Sequence, residues 1–247
     1  MKIAHISDWH GNLRHLPSAD LYVITGDMLP NWQLLHVLRE GERKLETIDP
    51  SDPRVREQIA NGSLRGQVLG RKIDASLESV KQTEWCIQKP FRREVGIPED
   101  VPVVVCRGNH DFIDLADWIG GDVWEVPDNP FSTTEIGGLT IGGCRGIPYI
   151  AGEWSDEMPR PDLGSRIRSL PNGLDLLLTH TPPRGILDAG RSHHGVDELT
   201  QWLNKNSNSG HPLKAHCFGH VHENYGTEIK GGIMFSNAAT TINVFDL

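Results

Sequence analysis

The sequence predicts an α/β protein, because short and almost continuously apolar runs recur along its 247 residues and end in polar clusters. Continuous rather than alternating apolarity is typical of strands that are covered on both faces. Helix-like stretches separate the second run from the third, as expected for crossovers between parallel strands. The predicted strands are KIAHIS from Lys2, LYVIT from Leu21, VPVVVC from Val101, LTIGGC from Leu139, LDLLLT from Leu174 and KAHCF from Lys214.

A long connection follows the second predicted strand. Eighty residues separate Asp27 from Gly108, far more than the dozen or so that one crossover needs. We therefore expect a single domain over residues 1–247 with a helical insertion or cap at about 30–100. Within it, residues 32–45 are helix-like, NGSLRG at 61–66 indicates a flexible break, and a second helix ends before Pro90. That helix is predicted to carry one apolar stripe formed by Ile73, Leu77, Val80 and Ile87. The C-terminal run GGIMFSNAATTINVFDL is predicted to return the chain to a sheet edge.

Composition narrows the class of partner. The chain has 24 Lys and Arg against 33 Asp and Glu, a formal charge of -9, and an acidic total disfavours a nucleic-acid partner without excluding one, because cationic side chains supply most of that affinity. No run reaches the roughly 18 to 20 apolar residues of a membrane span, and the N-terminus lacks a secretory pattern, so we expect a cytoplasmic protein with no membrane partner. The four cysteines form no CxxC pair, which predicts reduced thiols. The oligomeric state is left open.

Residues of metal-binding type stand at the ends of the predicted strands, in the clusters SDWHGN, GDMLP, RGNHD, THTPP and GHVHEN. Sites in α/β sheets form at the carboxyl ends of strands, so we expect these clusters to converge. Imidazole and oxygen donors without thiolate suit Mn, Fe, Zn or Ni. Seven donors exceed the four of one tetrahedral site, which predicts two divalent ions bridged by a carboxylate. The candidate ligands are Asp8, His10, Asp27, Asn109, His180, His220 and His222. Asp8 and His10 are expected to face the same way along extended backbone.

Five motifs occur in family order and resemble those of the calcineurin-like metallophosphoesterases: DxH at 8–10, GD at 26–27, GNHD at 108–111, TH at 179–180 and GHVH at 219–222. The resemblance implies a four-layer αββα sandwich, in which two packed sheets are flanked by helices. It also implies that His110 contacts the substrate phosphate and protonates the leaving oxygen, while Asp111 orients His110 or a neighbouring ligand. It places one metal, with Mn the expected ion, on Asp8, His10, Asp27 and His222, and the other on Asp27, Asn109, His180 and His220.

These motifs suggest a metal-dependent phosphoric ester hydrolase, in which a hydroxide between two metal ions attacks phosphorus in line and His110 acts as general acid. Small phosphorylated molecules, diesters or monoesters, are the expected substrates. The residues MLPNW after GD and Asp111 in the third motif differ from the VDRG and Glu of protein Ser/Thr phosphatases, whereas THTPPRG and FGHVHENYG resemble small-molecule and cyclic-nucleotide phosphodiesterase branches. Two alternatives stay open: a nuclease with salt-sensitive binding, and a non-catalytic metal-binding scaffold.

Several residues beside the motifs have competing interpretations. Arg145 either meets a phosphate oxygen or, as we favour, forms an ion pair. The histidines at 193–194 either begin an exposed helix or contact substrate, with the first favoured. Trp9 is expected to point away from the metals and pack in the core, and the acidic pair at 156–157 has no predicted role. Five other histidines are expected to be structural: His5, His15, His36, His211 and His216.

Overall fold

The computed structural model of the protein describes residues 1–32, 75–150, 154–189, 193–206 and 210–247. In chain order the strands are β1 (Lys2–Ile6), β2 (Leu21–Ile24), β3 (Val103–Val105), β4 (Val123–Glu125), β5 (Thr133–Ile136), β6 (Leu139–Cys144), β7 (Ile147–Pro148), β8 (Glu157–Met158), β9 (Leu176–Thr179), β10 (Ala215–Phe218), β11 (Gly226–Lys230), β12 (Ile233–Asn237) and β13 (Ile242–Asp246). The helices are α1 (Ala75–Gln88), α2 (Phe91–Val95), α3 (Ala116–Ile119), α4 (Arg160–Arg168) and α5 (Asp197–Asn206).

Two sheets contain most of these strands. The first has the order β13-β1-β2-β3-β4 and the second the order β11-β12-β10-β9-β6-β5, while β7 and β8 form a separate parallel pair. Pairing is parallel in the centre of each sheet, and antiparallel partners, β13 in the first and β5 and β11 in the second, lie at the edges. All six predicted runs form strands in these sheets, and β13 confirms the predicted return of the C-terminus to a sheet edge.

Three apolar clusters divide the protein into layers. Between the sheets, Ile3 and Leu21 of the first sheet belong to the same buried cluster as Leu176 and Leu178 of the second. On the outer face of the first sheet, α2 and α3 contribute Phe91, Val95 and Trp118. On the outer face of the second, α4 and α5 contribute Leu163, Ile167, Leu199, Trp202 and Leu203. Helices therefore cover both sheets, and the predicted four-layer αββα architecture is confirmed.

The predicted apolar stripe of the insertion lies on one helix where the structure describes it, but it does not face the core. Leu77, Val80 and Ile87 on α1 are 46%, 54% and 78% exposed, while Glu78 and Gln82 of the same helix are fully buried. The polar face turns inward because it supplies hydrogen bonds that buried loop backbone needs: Glu78 accepts from the Trp32 N–H at 2.8 Å. Helix α1 ends at Gln88, just before Pro90, as predicted. Residues 33–45 of the stretch expected to be helical over 32–45, the break at 61–66, Ile73 and His36 lie outside the described residues.

The structure also describes the four cysteines, which were predicted to be reduced thiols, and the helices that could be compared with a membrane span. Cys86, Cys106, Cys144 and Cys217 are free thiols, and burial raises the pKa of each. Within the described ranges, no helix has the length and apolarity required to cross a membrane.

Candidate metal centre

The carboxyl ends of the central parallel strands of both sheets meet at one place, and the candidate ligands lie there. Asp8, Asp27 and Asn109 follow the neighbouring parallel strands β1, β2 and β3 of the first sheet. His180 and His220 follow the neighbouring strands β9 and β10 of the second. A hydrogen bond joins the two sheets directly, because the His220 N–H donates to Asp8 Oδ2 at 2.9 Å.

One group of donor atoms is formed by Asp8, His10 and His222, whose ligand atoms all lie within 4.8 Å of one another. His222 Nε2 lies 3.0 Å from Asp8 Oδ1, and this bond raises the pKa of His222. The other carboxylate oxygen, Oδ2, accepts from the Ser7 hydroxyl at 2.5 Å. The carboxylate is therefore oriented by one oxygen and presents the other to the imidazole.

A second group joins Asp27, His180 and His220, again with ligand atoms within 4.8 Å of one another. His180 Nδ1 donates to the Thr25 carbonyl at 2.6 Å, which aims Nε2 into the site. There Nε2 lies 3.3 Å from Asp27 Oδ2 and 3.2 Å from Asn109 Oδ1. Three potential metal-ligand atoms thus converge on one point.

The electrostatics of this second group favour a cation. Burial opposes it, yet Asp27 and Asp8 raise the pKa of His180 to about 10, and the charge of His180 holds the pKa of Asp27 well below its usual range. In the absence of a metal, a proton on His180 Nε2 therefore supplies the positive charge between two oxygen acceptors. A divalent cation could take the place of that proton, as metal binding to histidine requires. Burial lowers the pKa of His220 to about 4, so its imidazole is neutral and has a lone pair for a metal. The donors present fit a metal site.

Backbone strain is concentrated in the same residues. Among the described residues outside glycine, seven have positive φ, and four of these are candidate ligands: Asp8 at 58°, His10 at 46°, Asp27 at 53° and His220 at 68°. Such strain costs on the order of 1–3 kcal/mol for each residue and is characteristic of functional sites. The expectation that Asp8 and His10 converge through extended backbone is therefore wrong. They converge through left-handed turns, held by the His10 N–H bond to the Asp27 carbonyl at 2.9 Å.

Two motif glycines are required by close packing at the centre. A Cβ atom on Gly108 would collide with the carboxylate of Asp27, and one on Gly219 would collide with Ser7 and the carboxylate of Asp8. A larger residue at either position would displace a candidate ligand. The sequence pattern of glycine before Asn109 and before His220 follows from this contact.

His110 lies beside the second group of donors. Its Nε2 is 3.8 Å from Asp27 Oδ2, its backbone N–H donates to Asp27 Oδ1 at 2.7 Å, and its ring centroid is 4.9 Å from that of His10. The Nδ1 atom is buried and has no hydrogen-bond partner among the described residues. Burial lowers the pKa of His110 although Asp27 raises it. The imidazole faces the cavity that the donors line.

Asp111 serves the loops rather than the imidazole of His110. Its buried carboxylate accepts backbone hydrogen bonds from Asp27 and Gly108 at Oδ2, and from Met28 and Leu29 at Oδ1, at 2.7 to 3.1 Å. Of the two roles expected for it, the geometry matches the orientation of a neighbouring ligand, since it holds the backbone of Asp27.

The residues beside the motifs resolve as follows. Arg145 is buried and forms two bonds of 3.1 Å with Asp156, so the ion-pair interpretation is confirmed. His193 is half exposed and bonded to Asp188 at 2.9 Å, and Trp9 packs in the core as expected.

Sequence reasoning missed Asp156 and the segment around it. Ser155 donates its N–H to the Asn109 carbonyl at 3.0 Å, and Trp154 lies against His110 with ring centroids 4.4 Å apart. Asp156 adopts a φ of 55°, so no regular period along the chain relates these residues to the site. The tryptophan two positions before an acidic residue was the only local signal.

The donors line a cavity of about 600 Å³, within the usual range for small-molecule sites. Six candidate site residues border it: His10, Asp27, Asn109, His110, His220 and His222. The remaining border includes Ile150, Trp154 and Glu223. None of the described residues that line it is lysine or arginine.

The comparisons with known proteins agree with this geometry. A sequence model of the calcineurin-like phosphoesterase family matches residues 1–224. Metallophosphoesterase domain-containing protein 1 from Homo sapiens is 32% identical over 114 residues, 45% of this chain and 34% of that protein. The UPF0046 protein T07D4.2 of Caenorhabditis elegans is 34% identical over 116 residues, 46% of this chain and 28% of that one. The matched part of the chain thus spans about a third of the length of these curated relatives.

A solved crystal structure shares the fold. It superposes with a TM-score of 0.56, covers 96% of this chain and 89% of its own, and is 16% identical in sequence. Because the family match extends over most of the sequence, the chain belongs to the calcineurin-like phosphoesterase family, whose members use divalent metal ions.

Proposed function

We propose that this protein is a metal-dependent phosphoric ester hydrolase that acts on small phosphodiesters or phosphomonoesters. The observation that carries the proposal is the convergence of Asp27 Oδ2 and Asn109 Oδ1 on His180 Nε2 at 3.3 and 3.2 Å, beside a second group of donors. We assign one ion to Asp8, His10, Asp27 and His222 and the other to Asp27, Asn109, His180 and His220, with Mn as the expected metal and Fe, Zn or Ni also compatible with these donors.

Two such ions, when bound, would supply an activated oxygen nucleophile and neutralise charge on the phosphoryl oxygens. The protein's own part is to hold the donors in place before substrate arrives. Asp111 fixes the backbone of Asp27, and the Thr25 carbonyl fixes the tautomer of His180. Held in this way, the donors need little reorganisation when substrate binds, which is how fixed polar groups contribute most to catalysis.

His110 is proposed to hold the substrate phosphate and to protonate the leaving oxygen. Its imidazole borders the cavity, and its backbone is pinned to the carboxylate of Asp27. Burial lowers its pKa, which makes the protonated ring a readier proton donor, and the negative charge of a bound phosphate ester favours protonation before transfer. Proton transfer of this kind contributes about 10²- to 10⁴-fold in rate.

The cavity supports a small substrate over a nucleic acid. Nucleic-acid binding relies on rows of cationic side chains, whereas the described lining of this cavity contains Glu223 and neither lysine nor arginine. The net charge of -9 points the same way. We therefore rank the nuclease below the small-molecule hydrolase.

The test combines metal analysis with hydrolysis of bis(p-nitrophenyl) phosphate, p-nitrophenyl phosphate, cyclic nucleotides and short oligonucleotides in Mn. Asp27→Asn should lose both bound metal and turnover, because Asp27 is a ligand of both ions in our assignment. His110→Ala should keep the metal and lose about 10²- to 10⁴-fold in kcat. Asp20→Asn, an exposed carboxylate that bonds only the Lys2 N–H among the described contacts, is the matched control and should change neither.

Two outcomes would overturn the proposal. Full metal loading with no hydrolysis of any of these esters would indicate a non-catalytic scaffold. An unimpaired His110→Ala enzyme with wild-type metal content would remove His110 from the mechanism.

A further inference from the structure

The cavity beside the candidate metal centre has an apolar border. Trp154 is half buried and Ile150 is 59% exposed, and both line the cavity together with the donor groups. Trp154 also lies against His110, with ring centroids 4.4 Å apart and ring planes inclined at 41°. A large apolar surface beside a set of polar donors is what a substrate with an apolar substituent would need.

The segment that carries Trp154 is anchored from several directions. The carboxylate of Glu157 accepts the N–H of Ile150 at 2.8 Å and the N–H of Trp154 at 3.3 Å, so it holds the backbone of both residues. The parallel pairing of β7 with β8 fixes the residues that precede Ile150 and follow Trp154. The Ser155 N–H bonds to the carbonyl of Asn109, which ties the segment to the proposed metal ligand.

A partly buried ion pair adds a further constraint. Arg145 donates two hydrogen bonds of 3.1 Å to the carboxylate of Asp156, and Arg107 Nε lies 3.5 Å from the same carboxylate. Bidentate contacts of this kind fix orientation as well as distance. The backbone that places Trp154 is therefore constrained independently of the indole ring, which indicates a built wall rather than a chance approach of a surface side chain.

We propose that Trp154 is a stacking platform for a flat aromatic ring carried by the phosphate ester, and that it determines specificity for ring-bearing substrates over aliphatic ones. This inference rests on the proposed function, since the phosphate must sit on the donor groups. The lining without described lysine or arginine leaves the apolar wall as the main contact for a substituent. An aryl group and a nucleobase both have the required flat π-face.

The experiment measures binding of paired phosphates to the Mn-loaded protein by calorimetry. Adenosine 5′-monophosphate is compared with ribose 5-phosphate, and phenyl phosphate with methyl phosphate, because the members of each pair differ mainly by the ring. In Trp154→Ala the affinity for the ring-bearing member should fall by about 5- to 150-fold, as expected for loss of one stacked base. Affinity for the ringless member should stay unchanged, and Trp154→Phe should restore most of the loss.

Tyr149→Ala is the matched control. Tyr149 is an aromatic residue with 62% exposure in the same segment and is not among the residues that line the cavity, so its removal should leave all four affinities unchanged. If the wild-type protein prefers the ring-bearing member in only one of the two pairs, the platform is supported, and that pair shows whether a nucleobase or a phenyl ring is recognised.

Equal losses for ring-bearing and ringless phosphates in Trp154→Ala would overturn the platform, because they would assign Trp154 to support of His110 alone. Wild-type protein that fails to prefer ring-bearing ligands would overturn it too. Failure of the proposed function looks different: ring preference would persist in binding while no ester is hydrolysed.

Discussion

Replacement of Asp111 by asparagine should lower the free energy of unfolding of the Mn-loaded protein by about 2–6 kcal/mol. The buried carboxylate accepts four backbone hydrogen bonds, two at each oxygen, from the loops that carry Asp27 and Gly108. An amide replaces one acceptor with an NH₂ donor, so in either orientation two N–H groups lose their acceptor. Each buried donor left unsatisfied costs roughly 1–3 kcal/mol.

The decrease in the free energy of unfolding caused by Asp111→Asn should be smaller in the presence of a chelator than in the presence of Mn. In metal-free protein, burial and the charge of Asp27 raise the pKa of Asp111 to about 7. A carboxyl whose pKa is raised on folding stabilises the protein at low pH and loses that contribution as the pH rises through 7. At pH 8.5 the ionised Asp111 is therefore unfavourable by up to about 4 kcal/mol, which the neutral asparagine avoids. Cations beside Asp27 would remove this penalty in the wild type.

Urea unfolding at pH 8.5, with Mn and with chelator, measures both values, and metal analysis follows the loading. Weaker Mn binding by the variant would add to the difference between the two conditions. Asp114→Asn is the control, because this exposed carboxylate forms a surface ion pair with Arg107 worth at most about 1 kcal/mol. An Asp111→Asn protein as stable as the wild type in Mn would refute the view that this carboxylate organises the loops.

Three further predictions test residues around the site. Burial lowers the pKa of His216 to about 3, so the contribution of its neutral imidazole to stability is complete above pH 6.5 and declines as the pH falls towards 3. In chelator, the stability lost between pH 7.5 and 5 should therefore be about 2 kcal/mol smaller in His216→Asn than in the wild type. Equal losses in the two proteins would contradict this. Gln82→Leu should lower kcat by roughly 10- to 100-fold with metal content unchanged, because the buried amide donates to the His110 carbonyl at 2.7 Å, while Gln88→Leu, exposed on the same helix, should have no effect. Arg145→Lys should reduce the binding preference for ring-bearing phosphates and spare ringless ones, because lysine cannot form the bidentate pair; a uniform loss of phosphate affinity would instead place Arg145 on the substrate.

The strands that could be predicted from sequence are those whose two faces are both covered. Every residue of β2, LYVI, and of β9, LLLT, is buried, so each forms a continuous apolar run. The strand β5, TTEI, alternates between exposed and half-buried residues, and four of the five residues of β11, GTEIK, are exposed. Both lie at the edges of the second sheet. Edge strands with a solvated face lack the apolar run by which the central strands were found.

Helix α1 shows why the apolar stripe of the insertion does not mark the buried face. Its exposed residues include Leu77 and Ile87, while the fully buried Gln82 contacts three backbone groups of neighbouring loops. Periodicity identifies the inward face only when that face packs against apolar side chains. Here the inward face meets loop backbone with unpaired N–H and carbonyl groups, and a glutamine satisfies both kinds at once.

The donors of the metal centre and the proposed ring platform differ in how the chain encodes them. The donors follow strands directly, so a residue type one to four positions after an apolar run was enough to select them. The platform depends on contacts between separate segments: the Asn109 carbonyl accepts from Ser155, and Arg145 binds Asp156. No local pattern records such contacts, because each partner has an ordinary neighbourhood in sequence. The same contacts join the platform to Asn109, a proposed metal ligand. Substitutions that alter ring recognition are therefore expected to perturb the ion assigned to Asn109 and His180 before the ion assigned to Asp8 and His10.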